Sequence, residues 1–402
     1  MRRLDFVLLL LALGCGTANV AQLAARDEAL SQSALMSTVR ILASPAFAGR
    51  KPGSTGGDKA QAYLSDAFTK AGLQPLPGVG YRQKLRAGAN VLGLFPGEGP
   101  RANEIVLVGA HFDHLGRRGD DVLAGANDNA SGVAALLGTL RAFVADPPSP
   151  RRAVLFAAFD GEEGGLLGSK QFVEDPRIDL SSIVAVVILD MVGTRPHEAF
   201  GDKLVVLGSE TSPEMQALVD GVPVAPGFEA VRIGLHVIED FPTPHAAVWS
   251  DYGPFRDLGI PFAFLSSGMA PTYHQPTDTA ESLTPSLLLG SSRWAAELVR
   301  RAATVLPRPT FVGSRVDLAE DLRQVTRLVR AALDPAAPLR NSLVRTERLE
   351  ADLAALEGLQ KRATRGVDLQ PEEVVLIRRA AIRVSCYCAG PGSPMSSLCN
   401  AF

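Results

Sequence analysis

The sequence predicts an α/β fold, a mostly parallel twisted sheet with helices on both faces, followed by a C-terminal helical extension. Three observations carry that prediction. Apolar runs too short for helices recur at 106–110, 153–159 and 183–189, as in strands buried on both faces. Segments of helical period alternate with these runs, which is the pattern of a parallel sheet covered by helices. From Pro307 onward only charged, amphipathic helical segments follow, at 317–333, 339–364 and 371–384.

Composition bounds the function classes. A chain of 402 residues with 46% hydrophobic content can fill a sizeable core. Its net charge of -3 leaves no basic excess to neutralise phosphates, which excludes a nucleic-acid binder.

The chain opens with MRRLDFVLLLLALGCG. Two arginines, then an apolar run too short to span a bilayer, then small Gly14 before Cys15 have the form of a signal peptide. The stretch resembles a bacterial lipoprotein signal, in which the cysteine becomes the lipidated first residue; Asp5 and Ala12 depart from that pattern, and secretion with cleavage elsewhere is the alternative. The expected division is a signal over 1–15, a main domain over 28–306 and a helical appendage with a cysteine-containing tail over 307–402. The expected location is outside the cytoplasm, in a bacterial cell envelope, lipid-anchored at Cys15 or periplasmic or secreted. Cys386, Cys388 and Cys399 then predict a disulfide from Cys399 to Cys386 or Cys388, with one thiol left over.

In order, residues 29–42 read as a helix, 44–57 as a Gly/Pro-rich loop, and 58–71 as a second helix capped by Asp58 and stopped by Gly72. Strands follow at 90–95 and 104–110, the latter ending in HFDHLG. GANDNASG leads into a helix over 131–144. The strand 153–159 runs into DGEEGG and a helix start, and the strand 183–189 ends in Asp190. Strands at 203–207, 231–237 and 261–265, a loop carrying YHQPTDT, and a helix over 285–305 complete the domain.

Several of these ends carry groups with metal-binding chemistry. His111, the pair Glu162 and Glu163, and Asp190 each follow a buried strand, and in an open α/β sheet the carboxyl ends of the strands line the ligand crevice. Asp128 and His274 sit on loops able to reach the same edge. Adjacent carboxylates at a buried strand end repel and lose hydration, so a cation or a proton must resolve them. The alternative is that Glu162 and Glu163 are first-turn glutamates favoured by a helix dipole. Two imidazoles and three carboxylates without a thiolate suit zinc, with manganese or cobalt as substitutes, and five ligands suit two ions sharing a carboxylate.

AHFDH, GANDNASG, FDGEEGGLLGS, ILDMVG and YHQPTDT resemble, in that order, the motifs of the dizinc exopeptidase family that includes bacterial leucyl aminopeptidase and glutamate carboxypeptidase, with glutaminyl cyclase as a relative. The resemblance implies that Asp128 bridges two Zn2+ ions, that His111 and Asp190 complete one site, and that Glu163 and His274 complete the other. It implies Glu162 as the unligated general base, Asp113 as the partner that orients His111, and Tyr273 as a group near the developing oxyanion. It further implies a metallo-aminopeptidase acting on peptides with a free N-terminus. A carboxypeptidase, a glutaminyl cyclase or a non-catalytic domain of the same fold are the alternatives. An α-amine pocket needs acidic groups and an α-carboxylate pocket basic ones; Glu239, Asp240, Asp251, Arg232 and Arg256 are the candidates. His114 is expected beside the site, and His245 stands in reserve for His274. Asn127 and Asn129 flank Asp128 where relatives carry aspartates, and Asn129-Ala130-Ser131 is a formal glycosylation sequon whose place in the site argues against modification.

Overall fold

The strands that the apolar runs predict form the middle of the sheet. The computed structural model describes residues 20–239, 248–305, 307–313, 316–339, 342, 344–366, 369–389 and 399. The signal segment and Cys15, Asp240 and His245 lie outside the described residues. The strands are β1 (Arg82–Lys84), β2 (Ala89–Phe95), β3 (Ile105–His111), β4 (Gly116–Arg118), β5 (Asp121–Leu123), β6 (Ala153–Phe159), β7 (Ile183–Leu189), β8 (Asp202–Leu207), β9 (Phe228–Arg232) and β10 (Phe262–Ser266). Among the described residues an eight-stranded sheet runs β1-β2-β6-β3-β7-β10-β8-β9, with β4 and β5 as a separate hairpin. The central pairs β6–β3, β3–β7 and β7–β10 are parallel, whereas β1–β2, β2–β6 and β10–β8 are antiparallel.

The helices are α1 (Val20–Ala29), α2 (Gln32–Leu42), α3 (Thr55–Lys70), α4 (Gly132–Ala145), α5 (Leu167–Glu174), α6 (Pro213–Asp220), α7 (His236–Glu239), α8 (Gly253–Asp257), α9 (Pro285–Thr304), α10 (Leu318–Ala332), α11 (Thr346–Ala363) and α12 (Pro371–Cys388). Side-chain alternation divides the core. Val154, Phe156 and Ala158 of β6 face α2, α3, α4, α6 and α9, while Leu155, Ala157 and Phe159 face α5 and α8. Helices α10 to α12 pack together, and their apolar cluster includes Phe200, Val231, Ile233 and Val237 from earlier in the chain.

Register sets the site. His111 lies opposite Phe159 in the β3–β6 pair, and Gly109 lies opposite Ile188 in the β3–β7 pair. The residues that follow β6 and β7 therefore emerge level with His111 on one sheet edge.

Several elements differ from the sequence reading. The helix expected over 29–42 is two helices broken at Leu30, because Ser31 accepts the Ala34 N–H and caps a new start. The next helix begins at Thr55 with Ser54 as its cap, and Asp58 lies inside the first turn. The strand expected over 231–237 is β9, ending at Arg232, followed by the short α7. Asp321 accepts the Gly234 N–H and Glu210 accepts the Leu235 N–H, so side chains take the donors that a longer strand would give to a neighbour. Glu162 and Glu163 precede α5 by several residues, so they are not first-turn helix glutamates. Helix α11 starts at Thr346 rather than 339, and α12 runs on to Cys388. Cys386 pairs with Cys399, and Cys388 is the buried free thiol.

Candidate metal centre

Three strand ends and two loops deliver the candidate groups. β3 delivers His111, with Asp113 and His114 just beyond; the turn after β6 carries Glu162 and Glu163; β7 leads into Asp190. Asp128 arrives on the loop before α4, and His274 on the loop after β10. Gly125 shapes the first of these loops: its φ is +60°, and a Cβ there would lie 2.3 Å from the Asp128 carbonyl oxygen and 2.6 Å from the His114 ring. His274 (φ 56°) and Met191 (φ 54°) hold left-handed backbone without being glycines, a strain of about 1–3 kcal/mol each that concentrates at functional sites.

The side chains form two clusters that share Asp128. In one, His111 Nε2 lies 3.2 Å from Asp190 Oδ1 and 3.4 Å from Asp128 Oδ1. In the other, His274 Nε2 lies 3.0 Å from Asp128 Oδ2 and 3.1 Å from Glu163 Oε2, and His114 Nδ1 lies 2.6 Å from Glu163 Oε1. The ligand atoms within each cluster all fall within 4.8 Å of one another. The site thus brings together the five predicted ligands and adds His114. Glu162 lines the adjoining cavity and joins neither cluster.

The donor set fits divalent cations. The buried His274 Nε2 has no hydrogen-bond partner despite its two near carboxylates, so lone pairs converge there without donors between them. His114 Nε2 and His111 Nδ1 also lack partners. Nitrogen and oxygen donors without sulfur match zinc and its neighbours.

The electrostatics separate the two glutamates. Burial raises the pKa of Glu162 well above the ordinary carboxylate range; nearby Asp190, Asp251 and Glu163 add to the rise, against the opposing charge of His111. Burial acts on Glu163 in the same sense, but the hydrogen bond with His114 and the nearby charge of His114 and His274 override it and hold that group below its usual range. Burial works against charge on His111, yet Asp190 and Glu162 raise its pKa.

A surrounding layer fixes these groups. Asp113 Oδ1 lies 3.6 Å from His111 Nδ1, and the same carboxylate accepts the backbone N–H groups of Glu162 (3.1 Å) and Glu163 (3.4 Å). Ser250 donates to Asp190 Oδ2 at 2.8 Å. Asp278 accepts the N–H groups of Asn127 and Asp128 at 2.8 and 3.1 Å. Arg50, fully buried, donates to the carbonyls of Leu42, Phe112, Ala124 and Gly125. Asn129 is also fully buried: its amide donates to the Leu189 carbonyl, while its oxygen accepts from Gly132 and Met191. That commitment leaves no room for a glycan.

Tyr273 stacks on His274 with ring centroids 3.9 Å apart and lines the same cavity. Of the candidates for reading a substrate terminus, Arg232 pairs with Asp220 at 2.6 Å, and Arg256 pairs with Glu239 and with Asp257. Asp251 is fully buried behind the site.

Sequence reasoning missed Arg50, Asp278 and the direct contact of His114. The HFDH spacing signals His114, since three polar residues in four positions at a buried strand end all fall beside the site. Arg50 binds backbone groups distant in sequence, which no local pattern records, whereas Asp278 lies in YHQPTDT, four residues after His274, and that motif could have signalled it.

The chain is similar to known proteins in sequence and in fold. Residues 90–299 match peptidase family M28. The chain is 29% identical over 182 residues to leupeptin-inactivating enzyme 1 of Streptomyces exfoliatus, covering 45% of this chain and 36% of that protein. It is 31% identical over 213 residues to the probable lipoprotein aminopeptidase LpqL of Mycobacterium tuberculosis, covering 46% and 40%. The chain therefore spans less than half the length of these two relatives. The fold is similar to that of the aminopeptidase from Aneurinibacillus sp. strain AM-1, with a TM-score of 0.54 at 16% identity, over 74% of this chain and 98% of that one.

Proposed function

The chain belongs to peptidase family M28, and from that premise we propose that it is a zinc-dependent aminopeptidase that removes N-terminal residues from peptides. One observation carries the reading: two donor clusters share Asp128, while Glu162 stands beside both and belongs to neither.

In this reading His111, Asp128 and Asp190 hold one zinc ion, and Asp128, Glu163 and His274 hold the second. Ions held there supply Lewis acidity toward water and toward the scissile carbonyl. Glu162 takes a proton from the attacking water as its oxygen bonds to the carbonyl carbon, and passes that proton to the amine nitrogen as the C–N bond breaks. Burial suits it to both steps, because a carboxylate in a poorly solvated setting accepts a proton readily and holds it until the amine departs. Asp113 keeps the turn before Glu162 in place through the Glu162 N–H, and Tyr273 offers its hydroxyl to the developing oxyanion. Carboxypeptidase polarity is disfavoured, since Arg232 and Arg256 are already committed to carboxylates.

Export and a lipid tether at Cys15 belong to the same proposal. The N-terminal pattern supports them, as does similarity to a relative named as a lipoprotein aminopeptidase. No helix among the described residues is long and apolar enough to cross a membrane.

The test is hydrolysis of unblocked aminoacyl chromogenic substrates and their N-acetylated counterparts, before chelation, after chelation and after zinc is restored. Cleavage of the free-amine set alone, lost on chelation and regained with zinc, is expected. A metal-loaded protein that cleaves none of them ends the aminopeptidase reading.

A further inference from the structure

The cavity that opens from the metal centre is walled on its far side by the C-terminal extension. It is a partly open cavity of about 180 Å³, with His111, Asp128, Glu162 and Asp190 at one end. Met191, Val205 and Phe264 line it from the main domain, and Leu328 of α10 with Ala381, Ile382 and Ser385 of α12 line it from the extension. Ala381, Ser385 and Cys388 follow one another at helical spacing and all face the cavity. Their small side chains leave the space that larger residues on the same face would fill.

The chemistry of the wall restricts what enters. Away from the metal centre the charged lining group is Lys203, whose Nζ donates to the Phe200 carbonyl at 2.6 Å and pairs with Glu229 at 3.1 Å. It is therefore neutralised at its own end. An apolar cavity of ~150 Å³ accepts a benzene-sized ligand. A side chain of that size, on the residue whose carbonyl sits at the metal centre, fills this one.

We propose that α12, with Leu328 of α10, is the specificity wall of the enzyme: it selects substrates whose N-terminal residue carries a benzyl-sized apolar side chain. The extension is then part of the substrate site and not an accessory. The proposal rests on the aminopeptidase reading, so its test carries a binding arm that needs no hydrolysis.

Full-length wild type, Ser385→Leu and Ile382→Ala are compared in kcat/KM for phenylalanine, tryptophan and alanine p-nitroanilides, and in calorimetric binding of L-phenylalaninol and L-alaninol. Circular dichroism and metal content establish that each variant is folded and loaded. Wild type should prefer phenylalanine over alanine by at least about tenfold. Ser385→Leu, which fills the cavity, should cost the phenylalanine substrate about tenfold or more and the alanine substrate less than about threefold. Ile382→Ala, which enlarges it, should raise tryptophan relative to phenylalanine by about tenfold. Unmoved ratios, or equal losses on all substrates, overturn the proposal. So does a wild-type preference for alanine, which requires no variant to fold.

If wild type hydrolyses nothing, the aminopeptidase reading fails separately, and the binding arm decides. Phenylalaninol binding weakened about tenfold by Ser385→Leu retains the apolar wall. Binding that is absent in wild type, or unchanged in the variant, removes it.

Discussion

Glu162 and Glu163 are adjacent in sequence and opposite in setting: Glu163 lies 2.6 Å from His114 Nδ1 and 3.1 Å from His274 Nε2, whereas Glu162 faces the cavity and joins neither donor cluster. Their pKa values move apart, Glu162 upward and Glu163 downward. Neighbouring titratable groups pushed apart in this way mark a division between a proton carrier and a charged ligand.

The corresponding glutamines should separate the two roles. Glu162→Gln is expected to keep its metal content and lose about 10²–10⁴-fold in kcat/KM, the range that general acid-base catalysis supplies. Glu163→Gln should lose metal first and activity as a consequence, with activity partly restored by excess zinc. Metal analysis of the dialysed proteins beside their kinetics decides the point. A Glu162→Gln variant that loses its metal would end the assignment.

Arg50 ties the site to the N-terminal loop. Its guanidinium is buried, and its four carbonyl bonds reach residues 8 to 75 positions away. Burial lowers its pKa to about 10, while Asp278, Asp128 and Asp113 support its charge. Arg50→Met removes the donors and leaves buried carbonyls unsatisfied beside His111 and Asp128. An unfolding free energy lower by about 3–5 kcal/mol, read from urea denaturation, is expected. A loss under about 1 kcal/mol would mean that water replaces the guanidinium at little cost.

The candidate ligands and Asp113 were legible in the sequence and the other supports were not, for a physical reason. His111, Glu163 and Asp190 follow apolar runs whose burial is unmistakable, and β6 and β7 have the bounds those runs predict. Arg50 instead acts on backbone groups brought near by tertiary folding, so nothing in its neighbourhood marks it, and Asp278, though it lies in YHQPTDT, acts on the backbone of Asn127 and Asp128, which its motif does not record. The end of β9 was misread because Asp321 and Glu210, remote in sequence, take its donors. The role of α12 was hidden for a similar reason: a charge pattern gives a helix its polar side, but not the cavity its small residues face.

Asp160 should make stability depend on pH. Its Oδ2 accepts the Ala89 N–H at 2.9 Å and Gln61 Nε2 at 3.3 Å, while its buried Oδ1 has no partner. Burial, helped by the charge of Asp113, pushes its pKa up to about 8. In the unfolded chain the group titrates near its ordinary value of about 3.9. Between about pH 4 and 8 the folded state therefore binds the extra proton, and this group makes stability fall as pH rises, by up to about 1.4 kcal/mol per unit. Asp160→Asn keeps an acceptor for Ala89 and removes the titration. Its stability relative to wild type should rise steadily from pH 5 to pH 8 in urea unfolding, and parallel pH profiles would contradict the shift.

The extension is fastened by a buried polar chain as well as by its apolar cluster. Asp321 of α10, 1% exposed, accepts the Gly234 N–H at 2.7 Å and lies 2.8 Å from His236 Nε2. The Arg378 guanidinium of α12 reaches His236 Nδ1 at 3.2 Å. Because Arg378 can only donate, His236 Nδ1 accepts and Nε2 carries the proton given to Asp321, which fixes the tautomer. One imidazole thus joins α7, α10 and α12. Asp321→Ala leaves two buried donors unpaired, at a cost of about 2–5 kcal/mol. That cost should fall on the extension, since the sheet keeps its own two cores. Hydrogen exchange should quicken in α10 and α12 while β3 and β7 stay protected, and selection for phenylalanine over alanine should weaken with it. Equal acceleration throughout would instead show that extension and sheet unfold as one unit, leaving α12 unable to loosen without the metal centre.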